Sequence, residues 1–99
     1  MLDKDYNLKI ADFGFSAPAD GWDGSKYLNT KVGTESYMAP EMWQNRPYTG
    51  MLADVFSLGV MLFILTIKPS CYPFGTSKLN DSKYKFIAKQ RKDVFWKYF

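Results

Sequence analysis

Apolar and polar residues alternate with period two only near the start of the chain. Leu8–Ile10 has this pattern, and polar residues at Asp3–Asp5 separate it from the apolar pair Met1 and Leu2. Short alternating runs around turn-forming residues are typical of a β-hairpin. We therefore predict a hairpin at residues 1–11.

A helical pattern dominates the second half of the chain. Between Gly50 and Thr66, apolar residues recur at every third or fourth position, as they do on one face of a helix. The run at 58–67 is apolar on all sides, but it is much shorter than the about 20 apolar residues needed to cross a bilayer. We predict a helix at about 51–66 that belongs to a protein core and not to a membrane.

Shorter signals complete the pattern. Pro40 suits the first turn of a helix that Asn45–Pro47 would end, and Asn80–Ser82 offers N-cap side chains for a last helix at about 82–90. Residues 15–37 have no sustained period and contain several turn formers, which favours a long functional or mobile loop. The predicted fold class is mainly α with a short β-hairpin.

Composition limits the classes of function. The chain has 99 residues, enough for one small domain, and its 46% hydrophobic content argues against disorder. Histidine is absent, which excludes Ser-His-Asp and Cys-His catalysis by these residues and removes the commonest metal ligand. The net charge of +3 is too small to argue for a nucleic-acid partner.

Two further features bear on location. The single cysteine, Cys71, cannot form an internal disulfide and is typical of a reduced, partly buried thiol. The first residues lack the apolar stretch of a signal peptide. We therefore expect an intracellular, cytoplasmic protein with no membrane partner.

The end of the chain combines basic and aromatic residues. Residues 78–97 carry seven Lys or Arg against two Asp, which indicates a solvated face or, alternatively, a docking surface for an acidic substrate or anchor protein. Five large apolar side chains crowd the last six positions, whereas chain termini normally lie at the surface. We expect these residues to need a partner outside the chain: Val94, Phe95, Trp96, Tyr98 and Phe99.

Three ordered motifs resemble the protein kinase family. Asp12-Phe13-Gly14 is similar to the DFG motif, and Gly33–Glu41 reads GTESYMAPE, similar to the GTxxYxAPE pattern of serine/threonine kinases. Asp54–Val60 resembles the start of the large central helix of the kinase C-lobe, with Phe56 in place of the usual tryptophan. Tyr72–Phe74 and Asp81–Phe95 look like the turn and the helix that follow.

The resemblance implies a fold and an activity. Residues 1–99 would form part of a kinase domain, whose complete fold is α+β and two-lobed. They would comprise a hairpin with the DFG motif (1–14), an activation segment (12–41), and the two helices at about 51–66 and 82–90. The intact kinase would transfer the γ-phosphate of ATP to Ser or Thr of protein substrates with Mg²⁺ as cofactor.

The DFG residues have distinct implied roles. Asp12 would bind Mg²⁺, because a hard cation prefers carboxylate oxygens. Phe13 would pack inward, and Gly14 would allow backbone dihedrals that a Cβ forbids. By itself, Asp12 could equally be a turn residue at the end of a strand.

The activation segment carries the implied regulatory and substrate-binding positions. Thr30 matches the threonine that many such kinases phosphorylate, with Ser25 and Tyr27 as rival acceptors. This position implies an upstream kinase or a regulatory protein as a partner. The implied substrate pocket consists of Gly33, Thr34 and Tyr37.

Two acidic residues have implied structural roles. Glu41 would pair with an arginine of a later helix, although a first-turn glutamate is also favoured by the helix dipole. Asp54 would accept hydrogen bonds from the catalytic loop, and without those donors a buried carboxylate is costly.

The remaining catalytic parts of the family do not occur in the sequence. There is no Gly-rich loop, and an HRD motif is impossible without histidine. The resemblance places the catalytic Asp upstream of residue 1, so we expect the 99 residues alone to be inactive. Three hypotheses remain: a fragment of an active serine/threonine kinase, a non-catalytic kinase-like interaction module, or a truncated reading frame.

Overall fold

Helices make up most of the regular structure. The computed structural model describes residues 1–99 and contains three α-helices, α1 (Gly50–Thr66), α2 (Tyr84–Ala88) and α3 (Lys92–Phe95). Three short 3₁₀ helices lie at Glu35–Tyr37, Pro40–Gln44 and Trp96–Tyr98. The ranges of 51–66 and 82–90 predicted from the sequence correspond to α1 and to a shorter α2.

The hairpin predicted at residues 1–11 is not confirmed. Leu2 and Leu8 form an isolated antiparallel bridge, with the Lys9 N–H donating to the Met1 carbonyl over 2.8 Å, but no strand develops. The Asp3 carboxylate shapes the turn by accepting the amides of Asp5 and Asn7 over 2.9 and 2.8 Å. A two-stranded hairpin is marginal when no further strand or helix covers it, and every residue of this segment except Asp3 is exposed.

Helix α1 is buried on one side only. Ala53 and Val60 are its two buried residues, and they belong to two small clusters. Ala53 packs with Ala39 and Tyr48, and Val60 packs with Phe74 and Tyr84. Phe56 contacts both clusters, so α1 is the element that joins them. The opposite face is apolar and exposed: Met51, Leu52, Val55, Leu58, Met61, Leu62 and Leu65.

The aromatic residues at the end of the chain pack partly against α1. The ring of Phe63 lies 6.4 Å from that of Phe95, 6.1 Å from Trp96 and 4.9 Å from Phe99, measured between centroids. Phe95 is buried, whereas Trp96 and Tyr98 stay about half exposed. The expectation that all of these side chains need an outside partner is therefore wrong for Phe95.

The overall shape is a slab with principal extents of 42 × 41 × 16 Å. Its radius of gyration is 15.3 Å, against about 13 Å for a compact domain of this length. Only 11 of the 99 residues are buried. Since a domain normally buries its apolar faces between two packed layers, the small core here leaves one apolar face of α1 uncovered.

Candidate functional site

A cavity of about 330 Å³ lies between the activation segment and the first half of α1. It brings together four of the residues singled out in the sequence, Gly33, Thr34, Tyr37 and Asp54. Apolar residues from both sides complete its wall: Phe15, Leu28, Val32 and Met38 from one side, and Met51 and Ala53 from α1.

The backbone at one wall of the cavity depends on glycine. Gly33 has φ of +106°, a conformation that is strained for residues with a Cβ. Thr34 is then extended and its carbonyl accepts the N–H of Tyr37 over 3.0 Å, which starts the 3₁₀ turn Glu35–Tyr37. The Ser57 hydroxyl of α1 donates to the Tyr37 carbonyl over 2.8 Å. This bond holds the turn against the central helix.

Asp54 lies on the exposed side of α1 and accepts no hydrogen bond within the chain. The expectation of a costly buried carboxylate is therefore wrong for this structure, because the helix turns Asp54 towards the cavity and solvent. Its charge still acts on a neighbour. Burial, and after it the charge of Asp54, raises the pKa of Tyr48.

Tyr48 anchors the activation segment. It pairs with Leu28 in an antiparallel bridge, with N–H to carbonyl distances of 2.8 and 2.9 Å, and its hydroxyl donates to the Thr30 carbonyl. The side chain of Leu28 fits so closely that a Cβ at Gly50 would lie 2.8 Å from its Cδ1. The Thr30 side chain stays exposed on this fixed backbone.

The DFG residues lie outside the cavity. Asp12 has φ of +63°, and Phe13 is 63% exposed, so the implied inward packing of Phe13 does not occur here. Gly14 has no left-handed φ, and a Cβ there would meet only Asp12 Oδ1 at 3.7 Å. The conformational reason given for Gly14 is therefore wrong in this structure, in which the left-handed residue is Asp12.

Asp12 is the acidic side chain that the DFG motif offers to a metal. Its carboxylate is exposed and accepts no hydrogen bond from the chain, and no group of three His, Cys, Asp or Glu side chains gathers anywhere in the structure. Mg²⁺ is commonly bound through one or two carboxylates, with phosphate and water oxygens as its other ligands. The residues present fit such a shared site and do not fit a site made by the protein alone.

Glu41 is half-buried in the 3₁₀ helix Pro40–Gln44 and has no ion-pair partner. The only ion pair of the chain joins Arg91 and Asp93 over 3.1 Å. Glu41 instead influences Tyr84, whose pKa is raised by burial and then by the Glu41 charge. The arginine partner implied for Glu41 is not among these residues.

A buried serine links the activation segment to the later loops. The Ser77 hydroxyl donates to the Met38 carbonyl over 2.6 Å and accepts the indole N–H of Trp43 over 2.9 Å. Ser77 is the one buried polar residue of the chain, and both of its hydrogen-bond partners lie far away in sequence. Sequence reasoning missed it, because nothing local marks this serine among its neighbours.

Asp81 holds the entry to α2 with four backbone hydrogen bonds. One carboxylate oxygen accepts the amides of Gly75 and Thr76, each over 3.1 Å, and the other accepts those of Lys83 and Tyr84, each over 2.9 Å. Burial raises the pKa of Asp81, but the four donors outweigh it and lower the pKa overall. The capping signal of Asn80–Ser82 pointed to this residue, although not to its two bonds with the preceding loop.

Residues 1–97 match the protein kinase domain family. The chain belongs to this family. It is 38% identical over 96 residues to serine/threonine-protein kinase kin-29 of Caenorhabditis briggsae, which covers 97% of the chain and 11% of that protein. It is 44% identical over 89 residues to CBL-interacting protein kinase 2 of Oryza sativa subsp. japonica, covering 90% of the chain and 19% of the relative.

A third relative is serine/threonine-protein kinase ppk16 of Schizosaccharomyces pombe, 38% identical over 87 residues and with 12% of its length covered. The kinase chain thus spans between about a tenth and a fifth of the length of these relatives. The predicted resemblance to serine/threonine kinases is confirmed, and the chain corresponds to a fragment of a kinase domain. None of its helices combines the length and apolarity that a membrane span requires.

Proposed function

We propose that the kinase to which this segment belongs transfers the γ-phosphate of ATP to Ser or Thr of protein substrates inside the cell. The observation that carries this proposal is the cavity in which Gly33, Thr34, Tyr37 and Asp54 meet. Asp54 follows Tyr37 by 17 positions in the sequence, and all four residues line the same cavity.

The role proposed for Asp12 is to provide one oxygen ligand for Mg²⁺. When both are bound, ATP supplies the phosphoryl group, and Mg²⁺ neutralises the negative charge that develops on that group. Asp12 suits this role because its carboxylate is exposed and has no competing hydrogen bond. Phe13 and Gly14 follow this ligand directly in the chain, and the left-handed φ of +63° at Asp12 itself sets the direction of the backbone there.

Gly33, Thr34 and Tyr37 are proposed to receive the substrate segment around the phosphoacceptor. Gly33 allows the backbone to turn, and the bond from Ser57 to the Tyr37 carbonyl keeps the surface in place before substrate arrives. Such preorganisation reduces the entropy lost on binding.

Thr30 is the proposed phosphorylation site for an upstream kinase. Its side chain is exposed, while its carbonyl is held by the Tyr48 hydroxyl. A phosphate there would add negative charge to a backbone that is already fixed. The family relatives include kinases named for interaction with CBL, and a regulatory protein of some kind is a proposed partner here.

A chimeric kinase tests the proposal. Residues 1–97 replace the matching segment of the rice CBL-interacting protein kinase 2, which supplies the rest of the kinase domain, and phosphate transfer to a serine peptide is measured. We expect activity, and we expect Asp12→Ala to lower it by at least about a hundredfold, the usual loss when one electrostatic stabiliser is removed. Asp20→Ala, which removes another exposed loop carboxylate, should leave the rate unchanged. A folded but inactive chimera, or equal rates for Asp12→Ala and Asp20→Ala, would overturn the proposal.

A further inference from the structure

Two lysine side chains converge on one indole ring. Nζ of Lys31 lies 4.8 Å from the ring centroid of Trp43, and Nζ of Lys78 lies 4.2 Å from it. The electron-rich face of an indole attracts cations and is the best aromatic partner for them. Lys31 belongs to the activation segment and Lys78 lies in the loop between α1 and α2, so the fold brings two lysines that are distant in sequence to one ring.

The aromatic platform below the lysines is fixed. The Trp43 indole N–H donates to Ser77 Oγ over 2.9 Å, and buried Ser77 donates in turn to the Met38 carbonyl over 2.6 Å. Rotating the ring would break the first bond and leave a partly buried donor unpaired. The two ammonium groups therefore lie over an indole ring whose orientation is held by a hydrogen bond.

Neither lysine charge is neutralised within the chain. Both residues are exposed, and the only ion pair lies elsewhere, between Arg91 and Asp93. Two like charges held at one ring repel each other, and an anionic group between or beside them would interact favourably with both. Lys31 also lies two residues before Gly33, which lines the cavity proposed for the substrate.

We propose that Lys31 and Lys78, supported by Trp43, bind an acidic side chain of the substrate peptide near its phosphoacceptor residue. This inference rests on the proposed kinase function and defines its substrate class as acidic peptides. The alternative is that the lysine stems only cover the ring, as long cationic side chains often do. In that case the two charges would confer no selectivity.

Peptide selectivity of the chimeric kinase distinguishes these cases. One aspartate is moved through every position around the acceptor serine, and each peptide is compared with its asparagine counterpart. At one or two positions we expect kcat/KM to be about three- to tenfold higher for aspartate, the range for two exposed ion pairs, and to fall at high salt. Substituting both lysines, as Lys31→Ala with Lys78→Ala, should remove this preference. Substituting both by glutamate should transfer the preference to peptides with lysine at the same position.

A matched control uses another lysine that lies over an aromatic ring. Nζ of Lys85 is 5.1 Å from the ring centroid of Phe86, and Lys85 belongs to α2 and does not contact Trp43. Lys85→Ala should keep the aspartate preference of the parent chimera. An active chimera without that preference, or one whose preference survives both double substitutions, would overturn this inference alone. An inactive chimera would overturn the proposed function and the inference with it.

Discussion

The most demanding prediction concerns the 99-residue chain by itself in water. Its accessible surface is 7637 Å² for a mass of 11.5 kDa. A compact folded monomer of that mass exposes about 5,800 Å², so roughly 1,800 Å² of additional surface is left uncovered here. Much of this surface is the apolar face of α1, where Leu58 is 59% exposed while Val60, on the opposite side, is 4% exposed.

The missing burial is large compared with the stability of a domain. If a little over half of the additional surface is apolar, its exposure forfeits about 25 kcal/mol at about 25 cal/mol per Å². A normal domain is stable by only about 5–15 kcal/mol. We therefore expect the isolated chain to be molten or self-associated, and not a monomer that unfolds in one cooperative step.

Two optical signals and a size measurement test this expectation. Heat and urea unfolding are followed by far-ultraviolet circular dichroism and by tryptophan fluorescence, and the oligomeric state is measured by gel filtration with light scattering. The triple variant Leu58→Lys, Leu62→Lys and Leu65→Lys should reduce self-association without producing a sharp transition, since it makes the face polar but covers nothing. A monomeric parent chain with one sharp transition, coincident in both signals, would refute the surface argument.

Further predictions apply to the chimeric kinase. Gly33→Ala should destabilise it by about 1–2 kcal/mol in urea unfolding, because φ of +106° is strained for alanine; no loss would show that the turn adopts another conformation. Ser77→Ala should cost about 1–3 kcal/mol by removing two buried hydrogen bonds, and Ser77→Thr serves as the comparison that keeps a hydroxyl. The pKa of Asp81 is lowered in the folded chain, so its carboxylate stabilises the fold above the ordinary pKa of 3.8, and this stabilisation is lost as pH falls through the lower folded pKa. The difference in unfolding free energy between the parent chimera and Asp81→Asn should therefore shrink in acid. A difference that does not change with pH would contradict this. Hydrogen exchange should be slow at the amides of Leu28 and Tyr48, which donate to each other's carbonyls, and fast at residues 22–24, whose amides donate no hydrogen bond; equal rates would show that the bridge does not persist.

Local sequence signals predicted the elements that local forces determine. The 17-residue α1 follows from its continuous apolar spacing, and it begins one residue before the predicted start. Asp81 was marked by its neighbours as a capping group, and it does accept the amides at the entry to α2. The family itself followed from the order of three motifs, because such an order seldom arises by chance.

Features that depend on distant partners could not be predicted from the sequence. Ser77 bonds residues 34 and 39 positions away, and no pattern around it distinguishes it from an exposed loop serine. The exposure of Asp54 depends on which face of α1 is covered. Apolar residues occur on every side of that helix, so the sequence does not indicate the covered face. The predicted hairpin is not confirmed and is reduced to the single bridge between Leu2 and Leu8, because its two short runs lack a third element on which to pack.

Tyr48 connects the proposed phosphorylation site to the cavity that is proposed to receive the substrate. Its backbone pairs with Leu28, its hydroxyl holds the Thr30 carbonyl, and its ring lines the same cavity as Thr34 and Asp54. Any change in the path of the chain at Thr30 must therefore either break the bond to Tyr48 or move a wall of the cavity. A phosphate on the exposed Thr30 side chain, at the site proposed for phosphorylation, would therefore act on a backbone that Tyr48 holds and not on a free loop.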